Sequence, residues 1–98
     1  MQNDVKAFLD KYNLHTSETV RYVDLVSEVG ELGKEILTGT DYGKVDYAQT
    51  PGAQGEFGDC LFSLLALCCE MNVDAEAALG QALAKYEARF AVKGSIGS

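Results

Sequence analysis

The chain has 98 residues, a length that fits one domain, because two cores cut from it would each be too small to be stable. A hydrophobic fraction of 47% beside 23% charged residues is too apolar for an intrinsically disordered segment. Eight Lys and Arg against fifteen Asp and Glu leave a net charge of −7, which excludes a duplex-binding module, since such modules need a basic stripe to displace counterions. No nucleic acid partner is expected, and an anionic substrate would need metal ions to approach this surface. The opening residues, MQNDVKAFLDKYNL, alternate charged and apolar side chains and contain no uninterrupted apolar core of a secretory signal. The most apolar stretch, Cys60 to Cys69, runs straight into Glu70 and falls short of the ~20 residues of a membrane span. The expectation is a cytoplasmic chain with no membrane partner. Its three cysteines spell neither a disulfide framework nor a paired zinc site and read as small buried apolar residues in a reducing compartment.

In chain order, Asn3 is a cap for a first helix reaching about Asn13, with Val5, Phe8, Leu9 and Tyr12 on one face. A turn over Leu14 to Thr16 precedes a second helix, capped by Ser17 and ended by Gly39. Its Val20, Val23, Val26, Val29 or Leu32, and Ile36 repeat every three or four residues. From Gly39 to Gly55 the chain is rich in Gly, Asp, Tyr and Thr and holds the single proline, so it reads as a long connection closing on Thr50 and Pro51. A third helix, about Ala53 to Met71, is apolar around most of its circumference and predicts cover from a second subunit. Asp74 caps a fourth helix, with Ala77, Ala78, Leu79, Ala82, Leu83, Tyr86 and Phe90 on a packing face. The whole reads as an all-α, four-helix bundle-like, oligomeric domain over residues 1–93, with a flexible tail at 94–98.

Two strings on the middle helices carry the chemistry: Glu28-Val29-Gly30-Glu31 and Glu56-Phe57-Gly58-Asp59. Carboxylates at i and i+3 lie about 60° apart around a helix and project from one face. If the two helices pack side by side, four carboxylates converge. Hard divalent cations such as Mg²⁺ take oxygen ligands and bridge carboxylates to phosphate oxygens, with neither His nor Cys required. The bland alternative is a solvated acidic face. Against it stand the apolar sequence around each pair and the glycine inside each, which costs about 1 kcal/mol in a helix interior and asks for a packing reason. A di-iron bundle needs Glu-x-x-His pairs that the single histidine, His15, does not complete; His15 itself reads as a surface or groove residue. Neither Asp41 nor Asp46 begins an EF-hand spacing, and no nucleophile motif is present.

With EVGELGKEI followed by EFGDCLFSLLAL, the chain resembles the MazG-like all-α nucleoside triphosphate pyrophosphohydrolases, a family marked by Glu-x-x-Glu, a spacer, and Glu-x-x-Asp. Here the spacer is residues 32–55. The resemblance extends through NVDAEAALGQALAKYEARF, where Lys85, Tyr86, Arg89 and Phe90 meet the family's Lys-aromatic-x-x-Arg-aromatic ending, and it covers about residues 17–90. One departure is Leu83, where many relatives carry Asn two residues before the lysine.

The resemblance implies a MazG-type bundle that hydrolyses nucleoside triphosphates, often deoxy or noncanonical, to monophosphate and pyrophosphate as a house-cleaning activity. It implies Mg²⁺, with Mn²⁺ as substitute, held by Glu28, Glu31, Glu56 and Asp59, with Glu28 positioning or deprotonating the attacking water. It assigns Lys85 and Arg89 to the phosphates; alone, that pair would read as a basic helix C-terminus. Base recognition is expected from the first helix, His15 and the 39–55 connection, with Tyr42 or Tyr47 as stacking partners, and assembly as a homodimer or homotetramer. The alternatives are a non-catalytic acidic oligomerisation module and a phosphoribosyl-ATP pyrophosphohydrolase, which normally shows lysines ahead of its acidic motif where this chain has only Arg21.

Overall fold

Ser17 and Asp74 begin their helices as their side chains allow: Ser17 Oγ accepts from the Val20 amide at 3.2 Å and Asp74 Oδ1 from the Ala77 amide at 3.1 Å. The structure, a computed structural model, describes residues 1–95 and 97. Its elements are α1 (Gln2–Lys11), α2 (Glu18–Gly39), α3 (Ala53–Glu70) and α4 (Ala75–Lys93), with no strand among the described residues. The protein is all-α. None of these helices is long and apolar enough to cross a membrane.

Two helix ends differ from expectation. α1 starts ahead of Asn3, with Met1 at the N-cap position and no side-chain cap. Gly39 is the last helical residue of α2, because Thr40 still donates its amide to the Ile36 carbonyl at 3.1 Å and takes the cap position. The glycine there answers to crowding. The Ala48 amide reaches the Gly39 carbonyl at 2.9 Å, and a Cβ on Gly39 would meet the Tyr47 ring at 2.6 Å. That contact folds the 40–52 connection back onto the end of α2. At the other end of the chain, α4 stops on Gly94, whose φ of 70° and amide bond to the Phe90 carbonyl make a left-handed cap. The tail expected at 94–98 falls in part on Ile96 and Ser98, which lie outside the described residues.

α2 and α3 run antiparallel and form the main helix pair, tied at one end by Arg21 to Glu70 and at the other by Thr50 Oγ1, which donates to Glu35 at 3.2 Å. α1 lies on α3, where Leu9 is fully buried and Phe8 meets Phe62 edge to face at 5.8 Å between ring centres. The face of α2 turned to α3 is not the valine stripe. Arg21, Leu25, Glu28, Leu32 and Glu35 are half-buried along the pairing face, while Val20, Val23, Val26, Val29 and Ile36 stand about half exposed. α2 therefore pairs with α3 through a stripe that alternates leucine with charge, which is what places its acids in the interhelical groove.

Among the described residues, α4 does not make the close packing expected of it. No residue of α4 is buried, and Leu79, Leu83 and Phe90 are each more than half exposed. The radius of gyration is 16.6 Å, where a compact chain of this length would have about 13 Å. Among the described residues, only Leu9, Ala53, Leu65 and Ala66 form the buried apolar set, so most of the large apolar side chains described, including Phe57, Leu61 and Leu64 of α3, remain open.

Candidate functional site

Helical spacing puts Glu56 and Asp59 on one face of α3, and the antiparallel pairing brings Glu28 of α2 opposite them. One carboxylate oxygen from each of the three lies within 4.8 Å of the others. Glu28 and Glu56 are half-buried and Asp59 is exposed. The fourth expected ligand, Glu31, stands outside this trio on the exposed side of α2, with the Lys34 ammonium 3.9 Å away. Its charge still acts on Glu56. Desolvation first, then the negative charges of Asp59, Glu31, Glu28 and Glu35, hold the Glu56 carboxyl above its ordinary range. The same environment touches Cys60, whose thiol is pushed up by burial and then by Glu28, Glu56 and Asp59, and so stays protonated. All three cysteines are free and half-buried, less enclosed than the sequence led us to expect.

Between α2 and α3 the acids open onto a groove of about 320 Å³ lined by Arg21, Asp24, Glu28, Asp59, Phe62 and Ser63. Arg21 gives the groove little compensating charge, because its guanidinium is turned to Glu70 and to the Leu14 carbonyl. Asp24 and Glu35 were not picked out by the two motifs, although their spacing from Glu28, one turn before and two turns after, is the signal that would have found them. A second, wider groove of about 580 Å³ is lined by Leu32, Ile36, Tyr47 and Phe57 together with Glu35, Gln49 and Gln54. Tyr47 thus borders a cavity next to the acids, whereas Tyr42 is exposed on the connection.

No family model matches the chain, and neither does any curated protein or solved structure. What the site can do therefore has to be read from its own chemistry. The trio offers carboxylate oxygens alone, set close together, with the groove's one lining cation, Arg21, turned to Glu70, a set that suits a hard divalent ion.

The remaining residues singled out from the sequence sit elsewhere. His15 lies in the α1–α2 turn, with Nδ1 2.7 Å from Glu70 and Nε2 2.5 Å from Asp10, so both ring nitrogens are engaged within the protein. About 11 residues of helix separate Glu70 from Asp59, or ~16 Å along α3. Lys85 places its ammonium 5.1 Å over the Tyr86 ring, and Arg89 is half-buried one turn on. Neither is among the residues that line the acidic groove. Gly30 and Gly58, inside the two acid strings, have open space where a Cβ would stand, so the close helix approach expected there is not made within one chain.

Proposed function

We propose that the chain is a Mg²⁺-dependent nucleoside triphosphate pyrophosphohydrolase of the MazG-like type, acting as a homodimer or homotetramer and producing monophosphate and pyrophosphate. The observation that carries this reading is the meeting of Glu28 of α2 with Glu56 and Asp59 of α3, three carboxylates drawn from both acid strings. It is supported by the motif order and by the matched ending on α4.

Glu28, Glu56 and Asp59 would hold the ion, with Glu31 near enough for its charge to be felt at Glu56. Bound Mg²⁺ neutralises phosphate charge and lowers the pKa of a coordinated water. Glu28, which faces the α3 acids, would orient the water and accept its proton. The groove's fixed helical walls hold the triphosphate chain relative to these carboxylates, which decides which anhydride linkage lies in reach. Lys85 and Arg89 are assigned to the phosphates through docking of the exposed α4 in the assembly. Aromatic Tyr47 and the first helix are the candidates for base contacts.

A panel of ribo- and deoxynucleoside triphosphates, assayed with Mg²⁺ and then Mn²⁺, tests the proposal. Turnover of at least one triphosphate is expected. Complete inactivity across the panel would leave the acidic oligomerisation module, which the open apolar faces of α2 and α4 favour.

A further inference from the structure

His15 is the one histidine of the chain, and it stands between two carboxylates from different helices: Asp10 near the end of α1 and Glu70 at the end of α3. A neutral imidazole donates from only one nitrogen. Two ionised acceptors on both nitrogens therefore require the imidazolium. Each carboxylate is fixed by further donors. Lys6 reaches Asp10 at 2.8 Å, and Glu70, only 7% exposed, also accepts from the Thr16 amide at 2.6 Å and from Arg21 of α2 at 3.5 Å. These groups, Asp10 and Lys6 from α1, Glu70 from α3 and Arg21 from α2, are the charged neighbours of the site.

We propose that His15 is a proton-operated latch that fastens the C-terminal end of α1 and the α1–α2 turn to the end of α3. Loss of its proton places a ring lone pair against one carboxylate at hydrogen-bond distance, turning an attraction into a repulsion. The other end of α1 is clasped independently, by Gln2, which donates to the Val73 carbonyl and accepts from the Ala75 amide, both at 2.7 Å. Release of the latch therefore frees one end of the helix and not the other. The consequence reaches the acidic groove through packing, since Phe8 of α1 abuts Phe62, which is one of the groove's walls. The latch acts whatever that groove binds.

Its pH window follows from the neighbours. Glu70 first and Asp10 second raise the His15 pKa above its ordinary value. Stability from the latch is thus fully present below the unfolded histidine pKa, about 6.5, and is lost as pH rises through the higher folded value. On the acid side it persists below the usual carboxylate range. Glu70 is held low first by the Thr16 amide and then by His15, and Asp10 first by Lys6 and then by His15.

The test is a nuclear magnetic resonance titration of the 98-residue chain from about pH 5 to pH 9, following the single histidine ring with the signals of Phe8, Leu9 and Phe62. The ring should titrate above about 6.5, with the α1 and Phe62 signals moving at the same midpoint and the Gln2 side-chain amide unchanged. Asp10→Asn, at a half-exposed position, should bring the ring midpoint down toward the ordinary histidine value. His15→Asn should abolish the midpoint in the α1 signals. A ring that titrates at or below its ordinary value, or α1 signals that do not follow it, would overturn the latch.

Discussion

Glu28 of α2 and Glu56 of α3 bring carboxylate oxygens within 4.8 Å across a helix interface, with Asp59 completing the group. Like charges this close raise the free energy of the ion-free fold. The Glu56 carboxyl, held above its ordinary range chiefly by desolvation and then by its neighbours, binds a proton more readily folded than unfolded. Its favourable contribution is present below the unfolded pKa and disappears as pH rises through the folded one. Glu56→Gln should therefore raise the melting temperature of the metal-free protein at neutral pH, and the gain should vanish below the carboxylate range. Differential scanning fluorimetry at pH 4 and pH 7.5 checks this; equal or lower neutral-pH stability in the variant would contradict the repulsion.

Mg²⁺ should reverse that order. An ion held by Glu28, Glu56 and Asp59 stabilises the native state by mass action, so the wild-type melting temperature rises with Mg²⁺ or Mn²⁺ concentration. Asp59→Asn should lose most of that response, and Glu31→Gln, whose carboxylate stands outside the trio beside Lys34, less of it. Glu28→Gln should slow turnover by roughly 10²–10⁴-fold, the range for a positioned acid or base, while its helical circular dichroism stays unchanged. Ion-independent melting in the wild type would sink the site assignment.

The glycines divide into two groups that mutation should separate. Gly30 and Gly58 face open space, so Gly30→Ala or Gly58→Ala should stabilise the helix by about 0.5–1 kcal/mol. Gly39→Ala should destabilise, because its Cβ would strike Tyr47 and the Ala48 carbonyl. Denaturant midpoints of the three variants read these signs directly. A loss at Gly30 or Gly58 would mean that a second copy packs there.

Exposed apolar residues on α2, α3 and α4 predict assembly. With Leu79, Leu83 and Phe90 open on α4 and Phe57, Leu61 and Leu64 open on α3, the chain should sediment as a dimer or tetramer at micromolar concentration. Phe90→Glu should shift the distribution toward smaller species. A folded wild-type monomer under these conditions would contradict the proposal.

Ser17 and Asp74 named two helix starts in advance because a capping side chain is a local signal. The acid strings were legible in part: Glu28, Glu56 and Asp59 come together, but Glu31, about 60° around α2 from Glu28, falls on the exposed side of the helix, and spacing alone does not say which member of a pair faces the neighbouring helix. Periodicity misled on α2. Its valines repeat at helical spacing, yet the face that pairs with α3 carries Arg21, Glu28 and Glu35, and a hydrophobic pattern cannot tell a face covered by the same chain from one left open. The same blindness applied to α4, whose apolar face is left open among the described residues. The pairing of His15 could not be read from sequence because one of its two partners, Glu70, lies 55 residues away and is brought to it by tertiary structure.

Phosphorus nuclear magnetic resonance of a deoxynucleoside triphosphate digest with Mg²⁺ tests the proposed activity most directly. If the groove at Glu28, Glu56 and Asp59 sets the α–β linkage in reach, monophosphate and pyrophosphate appear in equal amounts with no diphosphate intermediate. Accumulation of diphosphate and orthophosphate, in the absence of added pyrophosphatase, would mean removal from the γ end and would contradict it.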